Sequence, residues 1–170
     1  MTPQALAEHL DGLFSNEKNG WHAPVTKALE GILPDLAIWR PSADLYSIWD
    51  VVNHMACEQQ MVLHCVSGRD GWPEPFGPPG HCGYSNWPAP ETGSGVDGWQ
   101  LALNRLLEGH STLVAAIGGL SADRLASPPP GRRAPLYKLI QGLIGHNSYH
   151  CGQIILLRRL RGEWTEFSPG

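Results

Sequence analysis

The sequence predicts an all-α fold, a four-helix bundle with a long Gly/Pro-rich loop between its second and third helices. Four stretches carry apolar residues at intervals of three and four, the repeat of one helix face. No alternation of period two, the mark of a half-buried strand, competes with them. Over about residues 68–96 Gly and Pro are so frequent that no regular element is expected. The 170 residues fit a single domain spanning 1–170, of a size that hides about 70% of the surface its unfolded chain exposes.

The first helix is predicted in TPQALAEHLDGLF, where Leu6, Leu10 and Leu13 recur on one face. After the polar break SNEKNG, a shorter piece carries Trp21, Val25, Leu29 and Ile32 at similar spacing and stops near Pro34. IWRPSADLY, with Pro41, reads as a turn. Ser47-Ile48-Trp49-Asp50 then matches a capping box, in which the hydroxyl accepts from an early backbone N–H and the acid bonds back. The second helix therefore starts at about Ile48 and carries Val51, Val52, Met55, Met61, Val62 and Val66 before Gly68, a natural C-terminal residue. The Gly/Pro-rich loop that follows holds Trp72, Phe76, Tyr84 and Trp87, too many aromatics for a solvated linker, so much of it is expected to pack down. Trp99, Leu103, Leu106, His110, Leu113, Ile117 and Leu120 form the seam of the third helix. SADRLASPPPGRRAP interrupts, and the fourth helix runs from about Leu136 to Arg161, with Arg158, Arg159 and Arg161 near its negative dipole end. The long links after the second and third helices belong to known bundle topologies.

Composition excludes several classes of function. With 12 Lys+Arg against 16 Asp+Glu and a net charge of -4, the chain lacks the basic excess that phosphate-backbone binding demands, so no nucleic-acid partner is expected. No run approaches the roughly 18 to 20 apolar residues that span a bilayer, and the N-terminus lacks a basic segment followed by an apolar one. Neither a membrane partner nor secretion is expected. Cys57, Cys65, Cys82 and Cys151 form no C-x-x-C pair and read as free thiols, which fits a cytoplasmic protein. What remains to be explained is eight histidines in a chain only 16% charged.

His146 and His150 form H-x-x-x-H within the fourth helix, and residues at i and i+4 share a face, so both imidazoles can point at one ion. Spacing alone is a weak signal in so histidine-rich a chain. Position sharpens it: the seam Leu136, Leu139, Leu143, His146, His150, Ile154, Leu157 places both rings on the inward stripe. A buried imidazole with no partner is penalised by about 1–3 kcal/mol, so an inward pair needs acceptors, water or a metal. His54 supplies a third candidate from the second helix, on the track Ser47, Val51, His54, Glu58, Met61. Three neutral nitrogens with a fourth position left to water describe a catalytic zinc-type site, whereas structural zinc is closed by four protein ligands. Nickel, iron or manganese accept the same donors. Asn147 stands where H-E-x-x-H carries its glutamate, which disfavours a zinc protease.

With SIWDVVNHMACEQ (residues 47–59), GHNSYHCGQIILLRR (145–159) and WHAP (21–24), the chain resembles the DinB/YfiT-like proteins, four-helix-bundle metalloenzymes, over about residues 4–160. The resemblance implies that His54, His146 and His150 are the ligands of one divalent metal ion, commonly zinc or nickel. Relatives of that family include bacillithiol S-transferases and a mycothiol-dependent maleylpyruvate isomerase, in which the metal lowers the pKa of a thiol cofactor. Asn147 and Ser148 occupy positions where an acidic residue and alanine are common in the family, so the groups around the ligands are expected to differ from those of relatives.

The reading that follows is a divalent-metal-binding enzyme acting through an activated low-molecular-weight thiol, of S-transferase or isomerase type, on a small-molecule substrate. Fold alone does not fix function. Low charge and wide apolar stripes suggest a homodimer. The alternative is a non-catalytic, stress-responsive metal- or small-molecule-binding protein, and the plainest reading is a bundle whose histidines are structural. No catalytic residue is assigned. His110 reads more readily as a core histidine than as a ligand; His22 lines a pocket mouth or caps a helix; His9, His64 and His81 read as surface residues. Glu58, one turn after His54, is a general base, a group orienting a histidine or a surface carboxylate. Cys57 and Cys151 read as packing residues, and Arg132-Arg133 as solvated loop charge or an anchor for an anionic cofactor.

Overall fold

The structure is a computed structural model and describes residues 1–16, 21–70, 87–88 and 95–164. Among the described residues there are seven helices and no strand: α1 (Pro3–Ser15), α2 (Val25–Leu29), α3 (Pro34–Ile38), α4 (Ile48–Val66), α5 (Gly95–Gly118), α6 (Ala122–Ala126) and α7 (Leu136–Leu160). α1, α4, α5 and α7 are long, and the other three are single turns of 5 residues in the links. No helix among the described residues is long and apolar enough to cross a membrane.

Local chemistry sets where these helices start and stop. Thr2 accepts from Ala5 N–H, with Pro3 at the first position of α1. The capping box of α4 forms as its sequence predicts: Ser47 Oγ accepts from Asp50 N–H, and Asp50 Oδ2 accepts from Ser47 N–H at 2.7 Å. Arg40, which pattern reading did not connect to this helix, donates to the same Asp50 oxygen at 2.7 Å. Gly68 and Gly162, at φ 72° and 71°, close α4 and α7. Their N–H groups bond Cys65 O and Arg159 O, and the next residues, Arg69 and Glu163, bond His64 O and Arg158 O. Both ends are thus Schellman motifs, whose left-handed position glycine occupies without a Cβ penalty.

The long helices pack in a ring, α1 on α5, α5 on α4, α4 on α7 and α7 on α1. Their inner faces fill two apolar clusters. The first holds Phe14, Trp49, Met55, Trp99, Leu106, Cys151 and Ile154; the second holds Leu6, Leu10, Val62, Leu113, Ile117, Ile140 and Leu143. α4 and α5 run from the first cluster to the second, whereas α1 and α7 run from the second to the first. Neighbours α4 and α5 therefore point the same way. A chain that joins them must return along the bundle past a 19-residue helix about 28 Å long. A hairpin turn could not make that return, and the long Gly/Pro-rich connection has the reach for it.

Three expectations need correction. Trp21 does not share the buried face of Val25 and Leu29: Pro24 caps α2, so Trp21 precedes it and is 85% exposed. Pro34 does not end a helix but begins α3, where its missing N–H costs nothing. Leu120 lies beyond the end of α5. Most of the predicted loop, with Trp72, Phe76 and Tyr84, lies outside the described residues; Trp87 lies inside them, and it is partly buried and packed against the first cluster.

Candidate metal centre

α4 and α7 touch along the bundle and bring three imidazoles together. His54 stands in the second turn of α4, and His146 and His150 one turn apart on the facing side of α7. His54 and His150 are buried and His146 is half-buried. His146 Nε2 lies 2.9 Å from His54 Nε2 and 3.0 Å from His150 Nε2. Among the described residues this is the one group of three or more His, Cys, Asp or Glu side chains placed to hold a metal ion. Tetrahedral ligation at about 2.0–2.1 Å needs nitrogens about 3.3 Å apart. Both N···N distances from His146 lie within a few tenths of an ångström of that spacing, and the three candidate ligand atoms all lie within 4.8 Å of one another.

Proton counting tests that fit. His150 Nδ1 faces Gln153 Oε1 at 2.6 Å and must donate to it, so the neutral ring presents a bare lone pair at Nε2. A hydrogen on His146 Nε2 can lie along one of its two N···N lines, and with no hydrogen there His146 and His150 face each other lone pair to lone pair. In every neutral arrangement at least one close N···N contact lacks a full hydrogen bond. Charging the rings is no remedy: burial, and for each ring a neighbouring imidazole, push both His146 and His150 down to about 4. A cation bound by the three lone pairs removes the conflict.

The surroundings fix the rings. Gln153 holds His150 and turns its own amide N–H to Tyr149 Oη at 3.1 Å, a chain of the kind that sets a ligating imidazole's tautomer and angle. Trp87 lies flat on His54, with centroids 4.0 Å apart and planes 3° from parallel, and its edge approaches His150. Tyr46 stacks on Trp87 at 3.8 Å, and Asn53 of α4 holds the adjoining Pro88 carbonyl at 3.2 Å. Neither Gln153 nor Trp87 was singled out for this site by spacing. Gln153 carries a weak signal, one turn after His150; Trp87 carries none, since only the folded chain brings it to α4.

The remaining candidates sort by position. Glu58 is half-buried, and its charge favours protonated His150. His110 is a core histidine, stacked on Phe14 at 3.7 Å with Nε2 3.1 Å from Asp11 Oδ1, and it is outside the triad. His22 donates from Nδ1 to Ala23 O at 2.7 Å and reaches Ser148 Oγ at 3.2 Å. Ser148 lies two residues from each α7 histidine of the triad, which turns it to the opposite side of the helix, so His22 braces α7 from behind. Cys57 and Cys151 are buried, and burial raises each thiol to about 12. Arg132 is half-buried and points at Met61 Sδ, whereas Arg133 is exposed, as a solvated loop charge would be. His64 is half-buried against Asp70 O, His9 is exposed, and His81 and Cys82 lie outside the described residues.

A family model described as the DinB superfamily matches residues 22–154, which include α4, α5, most of α7 and all three histidines. The chain belongs to the DinB superfamily. Its all-α architecture and its histidine triad fit a metal-binding DinB-like protein. No curated protein and no solved structure gives a significant match.

Proposed function

We propose that this DinB-like protein is a metal-dependent enzyme that holds one divalent ion, zinc or nickel, on His54, His146 and His150 and works on a small molecule through a low-molecular-weight thiol. The observation that carries the reading is the convergence of three Nε2 atoms whose two close N···N contacts cannot both be hydrogen bonds in any neutral arrangement. Neutral imidazoles suit zinc and nickel, and a three-histidine set leaves a coordination position free. The ion, when bound, supplies Lewis-acid stabilisation of thiolate at neutral pH. The chain's own part is to keep the rings neutral by burial, to aim His150 through Gln153 and to wall the site with Trp87. Thiol use, transferase or isomerase chemistry, the cytoplasm and a homodimer complete the reading, and they rest on family resemblance and composition.

Elemental analysis of untagged protein tests the metal, with one equivalent expected in the parent and most of it lost in His54→Ala, His146→Ala and His150→Ala. Turnover of monobromobimane with bacillithiol, mycothiol or glutathione tests the chemistry. If metal is bound but no thiol supports a His150-dependent rate, the enzyme reading fails and the metal-binding alternative stands.

A further inference from the structure

Between the two apolar clusters lies a layer that is not apolar. Gln59 of α4, His110 of α5 and Asn147 of α7 are 1%, 2% and 4% exposed. Each sits where its helix passes from one cluster to the other: Gln59 between Ala56 and Val62, His110 between Leu106 and Leu113, Asn147 between Ile144 and Cys151. Both amide atoms of Gln59, both of Asn147 and Nδ1 of His110 form no well-aligned hydrogen bond among the described residues, the Asn147 amide lying close enough to the His146 ring to favour its protonated form. α5 makes room at this level with a glycine, since a Cβ at Gly109 would stand 3.3 Å from Gln59 Oε1. An orphaned buried polar atom costs about 1–3 kcal/mol, so five of them in one layer call for an occupant.

The donor set identifies the class. A cation needs acceptors only and an anion donors only. Here two carbonyl oxygens accept, two amide nitrogens donate, and His110 Nδ1 accepts, since Nε2 gives its hydrogen to the Asp11 carboxylate and burial keeps the ring from charging. A small neutral molecule that donates and accepts satisfies all of them. We propose that this layer is an internal hydration site, with ordered water bridging Gln59, Asn147 and His110 Nδ1 across the bundle. Buried waters typically make about three hydrogen bonds to groups of this kind. On the other side of the imidazole, Nε2 is tied to Asp11, whose carboxylate is 51% exposed, so a polar contact leads from the layer to solvent. The proposal is independent of metal binding.

Water-oxygen magnetic relaxation dispersion on the full chain, with a high-resolution crystal structure, tests it. Long-lived internal water is expected in the parent, positioned within hydrogen-bond reach of Gln59 and Asn147. It is retained in His54→Ala, which separates it from water at the histidine triad. Gln59→Leu and Asn147→Leu are each expected to lose at least one such water and to lower the Tm, because the remaining partners are left unsatisfied. A dry layer in the parent, with the amides bonded to one another, overturns the proposal. So does a Gln59→Leu variant that melts higher than the parent with its internal water unchanged. If the variants fail to fold, the parent measurement decides alone.

Discussion

His146 Nε2 touches both other ring nitrogens, so the geometry of the triad depends on it most. Its pairing with His150 was legible in the sequence, because helical register converts a spacing of four into a shared face. That His54 would meet them was legible from its inward track and the family motif. Gln153 and Trp87 were not, since polar residues one turn from any helical position are ordinary and Trp87 comes from a link between helices. Each carries a residue-scale prediction. Gln153→Leu removes the acceptor that holds His150 Nδ1–H while leaving all three histidines of the triad; metal affinity, read by competition with a chromophoric chelator, is expected to fall about 10–100-fold. An unchanged affinity would mean that Gln153 has no orienting role. Trp87 reports the candidate site optically: with its ring stacked on His54, titration with Ni2+ or Co2+ should quench part of the indole emission, and that part should be missing in Trp87→Phe. Equal quenching in both proteins would remove Trp87 from the site.

Among the elements, α4 was the most legible, because its start is written in side chains that bond their own backbone. Ser47 and Asp50 announced it, and Gly68 announced its end. The short elements were misjudged because proline reads as a helix stop yet also opens helices: Pro34 starts α3, and Pro24 caps α2 and so excludes Trp21 from the periodic run. Arg40 was invisible to local pattern, since it reaches Asp50 from outside the helix. The cap matters to the site because His54 stands two turns inside it. Ser47→Ala is expected to cost about 1 kcal/mol of stability. Asp50→Ala should cost more, because that carboxylate, 7% exposed, serves Ser47 N–H, Ser47 Oγ and Arg40 together. Urea unfolding of both variants checks the order, and a Ser47→Ala loss equal to that of Asp50→Ala would deny Arg40 a part.

For the whole molecule, periodicity supplied the long helices, but their directions emerge only from the order in which each meets the two core clusters. The sequence hinted at this through the length of the link after α4, without saying which neighbours run parallel. Burial of histidine couples that assembly to pH. Burial holds His110 below its ordinary 6.5, and His146 and His150 are pushed down to about 4, whereas in the unfolded chain all three protonate near 6.5. As pH falls through 6.5 the unfolded state takes up protons that the folded state refuses, so the stability contributed by neutral burial is complete above about 6.5 and is lost between there and about 4. Each group adds a slope of at most about 1.4 kcal/mol per pH unit, and less for half-buried His146, which solvent screens. Metal-free protein, prepared with chelator, should therefore melt at a constant temperature from pH 8 to 7 and then lose roughly a few degrees per unit down to pH 4.5. His110→Gln should flatten part of that decline. A Tm that does not fall below pH 6.5 would mean the three rings take up protons in the folded state as easily as in water, and so are not buried as the fold places them.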